Sequence, residues 1–73
     1  METRAVEMTL EVNGEIRSFP PLNSIEELLK LVGLGQDRIA VELNRRIIRR
    51  QEWGSTPLND RDKIEIVQFV GGG

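Results

Sequence analysis

Seventy-three residues make one domain, and a chain this short buries only about 60% of its unfolded surface, which leaves no room for a deep substrate cavity beside the core. It contains no cysteine and no histidine, so disulfides, the usual zinc, haem and iron–sulfur ligand sets, and Cys–His or Ser–His–Asp nucleophilic catalysis are excluded. A net charge of -2 argues against a nucleic-acid partner, which selects for basic surfaces.

The first residues carry Glu2, Arg4, Glu7 and Glu11 and hold no apolar run of the signal-peptide kind. No apolar stretch is long enough to cross a bilayer. The expected location is the cytoplasm, with no membrane partner.

Residues 6–12 alternate, with Val6, Met8, Leu10 and Val12 apolar and Glu7, Thr9 and Glu11 polar. Period two predicts a strand with one buried face. Asn13-Gly14 signals a hairpin, and a second strand is expected over 15–19. A two-residue loop would pair Leu10 with Arg17 and turn Arg17 toward the core. A three-residue loop over 13–15, with a bulge, pairs Val12 with Ile16 and Leu10 with Ser18. That second register is expected.

Pro20-Pro21 ends the strand, because neither residue donates to a ladder. Ser24 with Glu27 reads as a capping box. Ile25, Leu28, Leu29 and Val32 then share one helical face. Gly33 suits the left-handed position after a helix, and Leu34 the apolar contact beyond it. Ile39, Val41 and Leu43 alternate as a third strand. Asn44-Arg45-Arg46 reads as a turn, Ile47-Ile48 as a short fourth strand, and 51–60 as a loop holding Trp53, Pro57 and Leu58. Asp60-Arg61-Asp62 makes the last turn. Residues 63–70 form a fifth strand, with Ile64 and Ile66 on one face and Val67 and Phe69 on the other.

The order β-β-α-β-β-β gives an α+β domain, a mixed sheet of four to five strands with one helix packed on one face. First and last strands lying parallel at the centre would make it a β-grasp, the ubiquitin-like fold. The domain is expected over residues 1–70, with 71–73 a flexible glycine tail. It is expected to be a monomer when free.

Chemistry is expected at that tail. Gly71, Gly72 and Gly73 follow an apolar strand directly. Glycine threads a narrow channel and leaves a terminal carboxyl sterically open. A carboxylate is a poor acyl donor. Attack of its oxygen on the α-phosphate of ATP gives an acyl-adenylate with AMP as leaving group, and a sulfur nucleophile then leaves a thiocarboxylate. None of these steps needs a side chain of this chain.

The stretch from Asn44 to Trp53, then Leu58, Asp62 to Val70 and the three glycines resembles the ThiS family of thiamine-pathway sulfur carriers. The Val12-Asn13-Gly14-Glu15 hairpin and the Ser24-Ile-Glu-Glu-Leu-Leu29 helix start are similar to that family too. The chain departs from it in an extra N-terminal stretch of about seven residues, in Arg49 where many relatives have proline, and in the third glycine, Gly71. The resemblance implies a carrier rather than an enzyme. Gly73 maps to the modified glycine and Gly72 to its partner in the diglycine. The implied partners are an E1-like adenylating enzyme of the ThiF type and thiazole synthase of the ThiG type. ATP is consumed by the activating partner, and the chain itself binds no cofactor. The small subunit of molybdopterin synthase, a ubiquitin-like protein modifier and a non-carrier β-grasp binding module are the alternatives.

Val67 and Phe69, on the face away from the helix, are candidates for docking the activating enzyme. Arg50, one of four arginines bracketing Ile47-Ile48, is a candidate contact for an acidic surface on it. Those arginines otherwise read as a solvated edge. Trp53 is expected to cap the end of the core, and Asp60 and Asp62 to serve the turn rather than a metal.

Overall fold

The computed structural model describes residues 7–34 and 38–69. Its elements are β1 (Met8–Val12), β2 (Glu15–Phe19), α1 (Ile25–Leu31), β3 (Ile39–Leu43), β4 (Arg46–Ile48), a 3-10 turn (Arg50–Glu52) and β5 (Lys63–Gln68). The strands form one five-stranded sheet in the order β2-β1-β5-β3-β4. β1 and β5 run parallel, and the other neighbours are antiparallel. This is the expected β-grasp, with the last strand inserted between the first and the third.

The helix is set by its ends. Ser24 Oγ accepts from the Glu27 N–H at 3.3 Å. The Glu27 carboxylate reaches back to the Asn23 N–H at 2.8 Å, one residue before the cap itself. At the other end Gly33 has φ 79. Its N–H bonds the Lys30 carbonyl at 3.2 Å, and the Leu34 N–H bonds Leu29 at 3.1 Å. These two bonds close the helix in the glycine-terminated motif that the sequence announces. Ile25, Leu28 and Leu29 are buried against Leu10, Val12, Val41 and Ile64 of the sheet. Trp53 is 2% exposed, and its ring N–H donates to the Ile48 carbonyl at 2.9 Å, so it closes the end of the core as expected. The 3-10 turn ahead of it begins at Arg50, one residue before the stretch expected as loop.

The first hairpin differs from the expected register. Val12 pairs with Glu15 and Leu10 with Arg17. The loop therefore has two residues and no bulge. Asn13 and Gly14 take φ 50 and 83, the primed turn whose twist matches a two-residue hairpin. Arg17 does share a face with Leu10 and with Phe19, yet along β2 only Phe19 is buried on that face and Arg17 stays exposed. The core takes in the edge strand only at its end, where Phe19 joins the cluster that holds Ile25, Leu28 and Leu29 of α1. Every residue of β2 before Phe19 is exposed, and the Arg17 guanidinium lies 5.2 Å from the centre of the Phe19 ring.

Two turn asparagines hold β5 in place. The parallel ladder to β1 covers only Glu11–Lys63 and Val12–Ile64. Asn13 extends it: its Oδ1 accepts from the Ile66 N–H at 2.7 Å, and its Nδ2 donates to the Ile66 carbonyl at 3.3 Å. Across the strand, Asn44 Oδ1 accepts from the Lys63 N–H at 3.0 Å, and its Nδ2 donates to Asp62 at 2.9 Å. Asn13→Ala should lower stability by about 1–3 kcal/mol, the sum of two net hydrogen bonds and a strained φ. Asn13→Gly loses the same two bonds but adopts the positive φ freely, so in urea unfolding it should fall between Asn13→Ala and wild type; an Asn13→Gly no more stable than Asn13→Ala would show that the turn conformation adds nothing to the alanine loss.

Candidate functional site

The end of β5 is where the sheet delivers the chain to the glycines. Along this strand Ile64 is buried and Ile66 half-buried against the helix layer. Val67 and Phe69 stand on the opposite, open face, 53% and 54% exposed. Ala40 lies directly across from Val67 on β3. The Phe69 N–H donates to the Arg38 carbonyl at 2.7 Å, so the strand is held on its β3 side through Phe69. Val70 and the three glycines, Gly71, Gly72 and Gly73, lie outside the described residues.

The open face is divided along its length. Glu11, Glu42, Arg45, Lys63 and Glu65 border a shallow depression near the start of β5. Towards the end of the strand the same face turns apolar with Ala40, Val67 and Phe69. Ile47, 75% exposed, pairs with Glu42 and so lies on this face as well. Sequence reading missed Ile47 as a surface residue. Two adjacent isoleucines do not say which one faces out, and only the register against β3 decides it.

Arg50 is not brought next to Val67 and Phe69 in the sheet. It opens the 3-10 turn that follows β4, and β3 separates β4 from β5. Two strand spacings put β4 about 10 Å from β5. Asp62 serves the turn as expected, while Asp60 ties the turn to β1. Asp60 accepts from the Thr9 N–H at 2.7 Å and Asp62 from the Asn59 N–H at 2.8 Å. Among the described residues no group of three or more acidic side chains is placed to hold a metal ion. No helix among them is long and apolar enough to cross a membrane.

A model of the ThiS family matches residues 10–73, which takes in β1 through β5 and the glycines. The chain belongs to the ThiS family. It is 38% identical over 65 residues to the sulfur carrier protein ThiS of Bacillus subtilis, covering 88% of this chain and 98% of that one. A thiazole synthase of Paramagnetospirillum magneticum is 41% identical over 66 residues. That match covers 90% of this chain but 20% of the synthase, so the chain spans about a fifth of the length of the thiazole synthases that it matches. The crystal structure of the thiamine biosynthesis protein ThiS from Geobacter metallireducens superposes with a TM-score of 0.77 at 32% identity, over 90% of this chain and all of that one.

The two faces of β5 should respond differently to substitution. Phe69→Asp should change stability by no more than about 0.5 kcal/mol, as at an exposed site. Ile64→Ala, at a position 1% exposed, should cost about 2–5 kcal/mol through the cavity it leaves. Urea unfolding of both variants measures this, and a Phe69→Asp loss as large as that of Ile64→Ala would place Phe69 in the core.

Proposed function

We propose that this chain is a sulfur carrier whose working group is the carboxylate of Gly73. The observation that carries this reading is that the central strand of a ThiS-family domain runs directly into Gly71-Gly72-Gly73. The carboxylate oxygen attacks the α-phosphate of ATP held by an E1-like enzyme, and pyrophosphate leaves. A sulfur nucleophile then attacks the acyl-adenylate carbonyl, and AMP leaves with its oxygen. The product is a thiocarboxylate on Gly73, and the sulfur passes to thiazole synthase for the thiazole ring of thiamine. The name of the Bacillus relative and the thiazole synthases that include a similar stretch support this assignment.

In this reading the chain is a co-substrate. It contributes no acid, base or nucleophile, and the partner supplies ATP binding and electrostatic stabilisation. What the domain contributes is a rigid seat for residues 71–73 and a surface beside them. Val67 and Phe69, with Ala40, form that surface and dock the activating enzyme.

Mixing the chain with an E1-like adenylating enzyme, ATP and a sulfur donor should raise its intact mass by the difference between sulfur and oxygen. Deleting Gly73 should abolish the shift and leave the fold unchanged. Phe69→Asp should slow adenylation about tenfold or more, as for a central apolar contact. Isopeptide conjugates to lysines of other proteins in place of the mass shift would overturn the carrier reading, and normal activation of Phe69→Asp would remove the docking role.

A further inference from the structure

β5 has a different neighbour on each edge, and the two edges end at different heights. On the β3 edge, Glu65 and Val67 pair with Glu42 and Ala40, and the ladder continues to the Phe69 N–H on Arg38. The intervening residues turn their main-chain groups to the β1 edge. There the Asp62 and Ile64 carbonyls accept from the Glu11 and Asn13 N–H groups at 3.0 and 2.9 Å. Ile66 comes next, and the Asn13 side chain takes both its N–H and its carbonyl. The chain then turns away through Gly14 into β2. Gln68 is the next residue whose N–H and carbonyl face this edge. Gln68 is exposed, and among the described residues neither group meets a partner.

We infer that this open edge of β5, beginning at Gln68, receives an extended segment of the adenylating enzyme, which adds to the sheet as a further strand beside the departing tail. The inference rests on the carrier reading above and says how the tail is gripped. Three features of the chain favour this occupant. The strand is already extended and held on its other side through Phe69, so its free groups are pre-set for strand addition. The edge opens three residues before Gly71, so bonds formed at Gln68 fix the direction in which the glycines leave. Strand alternation places Val67 and Phe69 on the open face at the same height. Main-chain bonds along the edge and apolar contacts on the face then act together, the usual division in strand addition.

The outer edges of the sheet are less suited to this. β2 presents Glu15 and Arg17, and β4 has three residues flanked by arginines, the kind of short or charged edge that discourages pairing. Residues 68–70, Gln-Phe-Val, carry neither charge nor proline.

Gln68→Pro removes the one N–H that faces the open edge among the described residues and leaves the β3 ladder its donors. Its urea midpoint should stay close to that of wild type, while KM for the carrier in ATP–pyrophosphate exchange should rise about tenfold, the worth of one hydrogen bond made only in the complex. In wild-type protein the Gln68 amide should exchange quickly when free and at least about tenfold more slowly in the one-to-one complex with the adenylating enzyme. An unchanged KM for a folded Gln68→Pro, or an unchanged Gln68 exchange rate in the complex, overturns the inference. If the proline variant fails to fold, the wild-type exchange measurement decides alone. Slowing of Gln68 exchange with carrier concentration in the absence of enzyme would assign the edge to a second copy instead. Normal activation of wild type and Gln68→Pro alike sinks only this inference, whereas no activation of wild type sinks the carrier reading with it.

Discussion

The whole domain depends on seating its last strand in the middle of its sheet. β5, the last strand in the chain, lies between β1 and β3, and its parallel ladder to β1 is two residue pairs long. Asparagine side chains make up for this shortness. Asn13 and Asn44 each sit in a hairpin turn at φ 50 and 51, a conformation that asparagine adopts more readily than most residues. From there each carboxamide bonds β5 across a separation of 53 or 19 residues. One residue type therefore closes a local turn and secures a distant strand at once. The two roles reinforce each other, which is the consistency between local and global structure expected of a foldable sequence.

Much of this was legible beforehand, and what was not has a physical reason. The helix could be read because its signals are local: Ser24 and Glu27 at one end, Gly33 and Leu34 at the other. The faces of β5 could be read because alternation in a strand is strict, so Ile64 and Val67 had to part. The register of the first hairpin was misjudged from Arg17. A residue on the core side of a sheet is buried only where other residues cover it, and along β2 that holds for Phe19 and not for Arg17. The Asn-Gly pair carried the correct answer, and a preference for keeping an arginine out of the core overrode it. The bonds of Asn13 to Ile66 had no sequence signal at all, since they exist only once the order β1-β5 is known. Arg50 stands apart from Val67 and Phe69 because β3 lies between β4 and β5, an order that charge alone does not reveal.

The two faces of the sheet carry separate loads. The helix face holds nearly all the apolar burial and so sets the stability. The open face contributes little to burial, and its composition changes from charged, at Glu11, Glu42, Lys63 and Glu65, to apolar at Ala40, Val67 and Phe69. Apolar side chains left uncovered beside the end of the central strand add solubility risk and little stability. The proposed docking of the activating enzyme would give that position a use. The match of the family to residues 10–73 ties this end of the strand and the glycines into one inherited unit.

A tail of glycines also sets a thermodynamic problem for any enzyme that must hold it. Fixing the backbone of each residue costs on the order of 1–2 kcal/mol, and glycine loses the most freedom of any residue. Gly71, Gly72 and Gly73 have no side chains with which to recover that loss. The free energy that orders them must therefore come from residues just ahead of them. Val67 and Phe69 offer apolar area on one side of β5, and Gln68 offers main-chain groups that meet no partner among the described residues on its edge. Both lie on a strand held in place by Ile64 in the core and by Asn13 and Arg38 at its two edges, so little further ordering is needed when they bind. A seat that is rigid through Phe69 and bare from Gly71 onward separates recognition from chemistry. In the proposed carrier role, side chains close to the tail can then bind tightly without crowding the Gly73 carboxyl group.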